Sequence, residues 1–311
     1  MISVLGAGVA GLCAATALSE AGFAVEVIEA EGAPSPASLL AGGMLAPFCE
    51  GESAPDAIVT QGQAATDWWA AHVPDVQRRG TLVLAASRDT AELDRFARAT
   101  RAHCWVDPGS LEPDLAGRFA RGLFFETEAH MDPRAALASL RANLRARGVS
   151  IHDATPSGRI VDCRAMAARS SLNDLRAVRG EMVEVVTPDV ELSRTVRLLH
   201  PRFPCYIVPR GHGRYMIGAT MVESANAGTI TARAVMELLS AAYTVHPAFA
   251  EAEVVTTEAG LRPAFPDNIP AIRRIGERIY VNGMYRHGFL MAPVLAVQLA
   301  QMMTEELAHA D

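Results

Sequence analysis

Ile2-Ser3-Val4-Leu5-Gly6-Ala7-Gly8-Val9-Ala10-Gly11 is the stretch of this chain whose reading decides the fold. Ile2 to Leu5 reads as a short buried strand, the glycine-rich run as a turn, Gly8 to Ala21 as a helix, and Phe23 to Glu29 as a second strand. The turn matches G-x-G-x-x-G in the context that gives the motif meaning, after a strand and at the mouth of a helix. Gly6 makes the tight turn, Gly8 clears room for a pyrophosphate, and Gly11 lets helix and strand pack closely, with Val9 and Ala10 in the same cradle. The helix N-terminus then faces the phosphates. Glu29 has the spacing of an acid that accepts hydrogen bonds from ribose hydroxyls, and its charge disfavours a 2′-phosphate. These residues imply an ADP-containing cofactor, but they do not separate FAD from NAD. The bland alternative is a plain strand-to-helix turn with Glu29 on the surface.

Outward from this unit, Gly32 to Pro36 reads as a loop leading to the small-residue segment Ala41-Gly42-Gly43-Met44-Leu45-Ala46-Pro47, where backbone can approach a ligand closely. A helix follows around Gln61 to His72. Gly80 to Ala85 looks like a strand opening a new region that runs to Phe125 through one amphipathic helix. Asp132-Pro133 predicts a capped helix through Arg145 with Gly148 near its end. Val149 to His152 and Ile160 to Cys163 read as strands returning to the first sheet. Glu181 to Thr187, Thr195 to Leu199 and Arg214 to Gly218 predict an antiparallel sheet, followed by a helix near Thr231 to Tyr243. Glu253 to Thr257, Gly260-Leu261-Arg262-Pro263 and Ile279 to Asn282 come next, and a long helix from about Pro293 to His309 ends the chain. The expected fold class is α/β (α+β overall): a Rossmann-type cofactor domain (1–78, 128–180, 260–311) interleaved with a smaller antiparallel-sheet substrate domain (79–127, 181–259).

The half-apolar composition of 311 residues is ample for a buried core. All 28 basic residues are Arg, which excludes Schiff-base and lysine-nucleophile chemistry. A net charge of -7 with scattered cations predicts no nucleic-acid or anionic-membrane partner and favours a small molecule. Arg141, Arg145 and Arg147 read as a solvated face near a helix end. Cys13, Cys49, Cys104, Cys163 and Cys205 show no spacing for a metal site or a disulfide framework, and neither a leader nor a spanning segment is evident, so a cytoplasmic protein without a metal is expected.

Four further segments resemble the D-amino-acid-oxidase-like flavoenzymes, most closely their glycine-oxidase branch of thiamine biosynthesis. They are Ala41 to Pro47; Cys205-Tyr206-Ile207-Val208-Pro209-Arg210 with Gly213-Arg214 and Ile217 to Thr220; Gly260 to Pro263 with Asp267 and Pro270; and Tyr285-Arg286-His287-Gly288-Phe289-Leu290-Met291-Ala292-Pro293. The resemblance covers most of the chain and implies non-covalent FAD with an antiparallel sheet roofing the flavin. It implies that Arg262 clamps a substrate carboxylate, that Tyr206 helps hold it, and that Arg286 is a second cation near substrate and cofactor. It places Gly42, Gly43 and Met44 beside the flavin, with Met44 also bordering the substrate, and His287, Gly288, Phe289 and Leu290 at the flavin ring. The residue types agree, since a guanidinium takes a carboxylate bidentately and a phenol adds a neutral donor.

Each assignment has a plainer alternative. Arg262 could cap a strand end, Arg286 could serve the flavin alone, Tyr206 could be a core residue, Met44 a gap filler and His287 a local hydrogen-bond partner. Trp68 and Trp69 read as core packing. Two departures from the family stand out. Thr155 to Arg159 is short where larger relatives insert a meander over the adenine, and Asp162 to Ala167 replaces a glycine-bearing turn, leaving Arg164 to reach a phosphate or to form a structural ion pair. The implied activity is oxidation of glycine, sarcosine or a small D-amino acid to the imine with oxygen as acceptor and no protein base required. A dehydrogenase using another acceptor and a flavin-binding protein without turnover are the alternatives, and homo-oligomerisation is left open.

Overall fold

The computed structural model describes residues 1–30, 37–199 and 205–309, so the expected Gly32 to Pro36 loop lies outside the described residues. Two large sheets organise the chain. The first has six strands in the order Ala271–Ile275, Arg278–Asn282, Arg159–Asp162, Ile2–Leu5, Val25–Ile28, Ser150–His152. Its five last-named strands are mutually parallel and the Ala271–Ile275 edge is antiparallel. The opening βαβ unit sits at its centre, and its helix, Val9–Glu20, packs against both Pro133–Ala146 and Gly288–Ala308. Covered on several sides, this helix is apolar around nearly its whole circumference, with every residue from Val9 to Leu18 buried.

The helix Pro133–Ala146 starts as its sequence predicts: the Asp132 carboxylate accepts from the Arg134 amide at 2.8 Å, and Pro133 occupies the first turn. Inside the sheet, Glu26 is buried and fully engaged. It accepts from the Ser3 hydroxyl at 2.5 Å and from the Ser157 amide and hydroxyl at 2.8 and 2.9 Å. These bonds, chiefly that of Ser3, hold its carboxyl down at about 2. The short Thr155 to Arg159 connection is therefore stitched to the sheet, with the Gly158 amide donating to Ser3 Oγ at 2.8 Å.

The second sheet has nine strands, with Arg176–Val186 hydrogen-bonded on one side to Arg214–Gly218 and Val222–Glu223 and on the other to Glu253–Ala264. Beyond Arg214–Gly218 follow Cys205–Pro209, Thr195–Leu199, Thr81–Ala85, Gly122–Phe125 and Cys104–Val106. The expected antiparallel sheet contains one parallel pair, Thr195–Leu199 beside Thr81–Ala85. Arg176–Val186 and Glu253–Ala264 each run unbroken where the sequence suggested shorter runs. The helix Ala232–Val245 covers this sheet over a core of Val183, Val185, Ile207 and Ile217.

The last helix corrects the sequence expectation: it begins at Gly288, and Pro293 lies inside it. Proline has no amide hydrogen, so the Phe289 carbonyl one turn earlier loses its helical donor. The Trp69 indole fills the vacancy, its Nε1–H donating to Phe289 O at 2.7 Å. Trp69 is thus more than packing: it supplies the hydrogen bond that lets the helix continue through proline. Among the described residues no helix is long and apolar enough to cross a membrane.

Candidate active site

A cavity of about 1330 Å³ runs between the two sheets, from the carboxyl ends of Ile2–Leu5 and Val25–Ile28 to the face of the second sheet. It exceeds the ~300–1,000 Å³ of ordinary small-ligand pockets and suits an extended dinucleotide with a small molecule beside it. At one end Gly6, Ala7, Gly8, Val9 and Ala10 line the wall. Gly6 takes φ +95°, and a Cβ on Gly11 would overlap the Gly6 carbonyl oxygen, so turn and helix press together as the motif requires. The Val9 amide at the helix mouth is held by the Ser38 hydroxyl at 3.0 Å.

Glu29 also lines the cavity, where Arg141 grips both its carboxylate oxygens at 2.7 and 2.6 Å and donates to Ala7 O at 3.2 Å. Arg141 lowers the Glu29 carboxyl below its ordinary range through these hydrogen bonds. The solvated face expected for Arg141 is therefore corrected: Arg141 is half-buried at the cavity and ties the second strand to the glycine-rich turn, whereas Arg145, at the cavity rim, and Arg147 are exposed as expected. With the 155–159 connection short, the wall beyond Glu29 is made by Arg145, Ile151, His152 and Asp153. Arg164 lines the same cavity and forms a close pair with buried Asp162, at 3.0 and 2.6 Å.

At the centre, Ala41, Gly42, Gly43 and Met44 form one wall. Arg210 fixes them, donating to Ala41 O at 3.1 Å, Gly42 O at 3.0 Å and Met131 O at 2.9 Å. Burial pushes the Arg210 guanidinium down to about 10. Its sequence position was noted above as part of a motif, but its task of holding carbonyls was not legible there. Tyr206 borders the cavity with its ring against Gly42, and burial pushes its phenol up.

Arg262 projects into the cavity from Glu253–Ala264. Its Nη1 donates to Thr220 O at 3.0 Å, and among the described residues no carboxylate pairs with it. The guanidinium lies across Gly180 of the neighbouring strand, where any Cβ would collide with it. Sequence reasoning missed Gly180, although a glycine in the middle of Val178-Arg179-Gly180-Glu181-Met182 is the usual sign of a close approach.

Arg286 is differently placed. Its Nε lies 2.7 Å from Glu50 Oε2, its Nη2 donates to Ser53 Oγ at 2.6 Å, and its Nη1 contacts Met221 Sδ at 3.7 Å. His287 is buried with Nδ1 3.6 Å from the same Glu50 oxygen, and burial pushes it down to about 4, so it is neutral near pH 7. Burial opposes the Glu50 charge, yet Arg286 and Arg197 hold its carboxyl below the ordinary value. Glu50 was absent from the sequence reading, and a lone acid in Pro47–Glu50 carries no signal of a partner in Arg286. Gly288, Phe289 and Leu290 complete this wall. The structure thus gathers every expected cofactor and substrate residue around one cavity: Gly6, Gly8, Val9, Ala10, Glu29, Gly42, Gly43, Met44, Tyr206, Arg262, Arg286, His287, Gly288, Phe289 and Leu290 at its wall, and Gly11 just behind the turn.

A largely parallel sheet opening through a dinucleotide turn, facing a second sheet whose Arg262 has no carboxylate partner among the described residues, defines a dinucleotide-binding protein with room for an anionic ligand beside the dinucleotide. The chain belongs to the FAD dependent oxidoreductase family (DAO), whose profile matches residues 1–302. It is 54% identical over 98% of its length, and 97% of the other protein, to a Rhizobium etli protein assigned as thiamine biosynthesis oxidoreductase ThiO. It is 27% identical to a glycine oxidase of Pseudomonas aeruginosa, covering 97% of this chain and 94% of that one. Among solved structures, glycine oxidase from Bacillus cereus shares the fold with a TM-score of 0.83 over 98% and 95% of the two chains, at 20% identity. FAD is the cofactor of this family, and the site fits it: the Gly6–Gly11 turn suits a pyrophosphate, Glu29 a ribose, and the cavity continues past the Ala41–Met44 wall.

Proposed function

We propose that this protein oxidises a small α-amino acid, glycine foremost and sarcosine or a small D-amino acid as alternatives, to the imine, with oxygen as electron acceptor and hydrogen peroxide as its product. The imine hydrolyses to the 2-oxo acid or is taken up in making the thiazole of thiamine, a place supported by the name of the 54% identical relative. One observation carries the reading: Arg262 lines the cavity with no carboxylate partner among the described residues, and a half-buried cation of that kind calls for an anionic ligand.

The cofactor would be held non-covalently by Gly6, Gly8, Val9, Ala10, Gly11 and Glu29 at its ADP half. Gly42, Gly43, Met44 and the 286–290 segment would hold its ring. FAD held there would supply the acceptor for the hydride of the α-carbon and a route for its electrons to oxygen. The protein's own part is orientation. Arg262 takes the carboxylate through charge-assisted hydrogen bonds and the Tyr206 hydroxyl adds a neutral one, fixing the α-carbon in the cavity. Met44 and Met221 narrow the space around it. An amine that arrives unprotonated needs no protein base. By the same proposal, residues 1–78, 128–180 and 260–311 chiefly serve the cofactor and residues 79–127 and 181–259 the substrate, with Arg262 reaching the substrate from Glu253–Ala264, a strand that crosses that division as Arg176–Val186 does.

The test is an anaerobic titration of the flavin-loaded protein with glycine, sarcosine and D-alanine. Bleaching of the visible flavin band is expected with at least one, and no bleaching with any of them refutes the proposal. Peroxide formed per turnover in air then distinguishes an oxidase from a dehydrogenase using another acceptor.

A further inference from the structure

The two arginines that the family resemblance places near the substrate differ in electrical condition. Arg262 has only backbone carbonyls as partners, Thr220 O at 3.0 Å and Arg179 O at 3.5 Å. Arg286 is enclosed on every nitrogen by Glu50, Ser53 and Met221. The contact with Glu50 is also buried: Glu50 Oε2, Arg286 Nε and His287 Nδ1 are enclosed and none makes a hydrogen bond, so Glu50 and Arg286 are joined as a close ion pair. Arg197, the other cation near Glu50, has a carboxylate in Glu52 at 3.2 Å, which it shares with Arg95 at 2.9 Å. The Tyr206 phenol lies within the influence of Arg262, Glu50 and Arg286 together, so these three charges bear on one small volume.

We propose that Glu50 sets the charge specificity of the substrate site: by neutralising Arg286 it leaves Arg262, among the described residues, as the one cavity-lining cation beside Tyr206 without a carboxylate partner, so the site accepts one carboxylate and refuses a ligand carrying two. Burying a second anion here would require it to displace Glu50 from Arg286 or to remain unpaired, and either is costly in a largely buried site. Specificity of this kind rests on a repulsive element as much as on the attractive clamp. Without the Glu50 charge, Arg286 becomes a second clamp and dicarboxylates gain. The inference rests on the amino-acid reading for the role of Arg262, but it concerns charge selection and can be measured without turnover.

The experiment uses the flavin-loaded protein and two non-oxidisable probes, acetate and malonate, with Kd read from perturbation of the flavin absorption band. In the unaltered protein malonate binds no tighter than acetate. In Glu50→Gln the ratio Kd(acetate)/Kd(malonate) rises at least tenfold, and in the double variant with Arg286→Met that gain disappears. Glu50→Asp, which keeps the charge, stays within threefold of the unaltered ratio. A tenfold preference for malonate in the unaltered protein overturns the proposal even if Glu50→Gln does not fold. So does an unchanged ratio in Glu50→Gln, or a failure of both acids to perturb the band. Amino-acid bleaching is measured separately, so loss of charge selection with intact bleaching refutes this inference alone, and the reverse result refutes only the amino-acid assignment.

Discussion

Replacing Trp69 by Phe tests whether an indole carries the last helix past Pro293. The structure gives the size of the effect. Trp69 is fully buried, its Nε1–H donates to Phe289 O at 2.7 Å, and its ring lies 5.4 Å from the Phe289 ring. Trp69→Phe leaves that carbonyl with neither its helical donor nor its indole donor, which costs about 1–3 kcal/mol when the group is buried. The smaller ring adds a cavity cost of roughly 1 kcal/mol. Pro293→Ala restores an amide hydrogen four residues after Phe289, so in that background Trp69→Phe should cost only the cavity share. The assay is a double-mutant cycle by urea unfolding of the flavin-loaded protein, with a coupling of about 1–3 kcal/mol expected between the two positions. Costs that add to within about 0.5 kcal/mol would refute the reasoning, since they would show that the indole hydrogen bond does not compensate the proline.

Gly180→Ala puts a methyl where the Arg262 guanidinium lies, so the KM for glycine should rise roughly tenfold or more, the equivalent of one displaced charged hydrogen bond, while bound flavin per chain stays constant. Arg141→Met frees Glu29 and removes the brace on Ala7, and equilibrium dialysis should show weaker FAD retention by about 1–2 kcal/mol. Glu128 is fully buried and burial pushes its carboxyl up to about 8 from an ordinary 4.5. The folded protein therefore holds a proton there that the unfolded chain gives up, and this contribution to stability, complete below pH 4.5, is lost as pH rises through about 8. Glu128→Gln, measured by urea unfolding from pH 5 to 8.5, should flatten that decline, and an unchanged slope would show that Glu128 is ionised in the fold.

The opening βαβ unit was legible because each of its signals is local: a strand, a turn with glycines at fixed spacing, and an acid at the next strand end. Arg262, Tyr206 and the Ala41–Met44 segment were legible only through their likeness to a family, since nothing in their spacing brings them to one cavity. Arg141 misled because a polar stripe on a helix looks the same whether it faces water or an acid from another strand. Pro293 misled because proline is an ordinary helix-start signal, and the indole that overrides it comes from a distant segment. Glu50 left no trace in the sequence, for its meaning depends on Arg286 and His287 closing over it.

Arg210 stands at the end of a second-sheet strand and grasps three carbonyls, those of Ala41, Gly42 and Met131. The Ala41–Met44 wall of the cavity is therefore tied to the second sheet. Its anchor is a side chain of the second sheet. One planar guanidinium therefore sets the carbonyls of Ala41, Gly42 and Met131 in a common register, and the shape of the cavity wall at Gly42 is written in part by a residue that does not itself line the cavity.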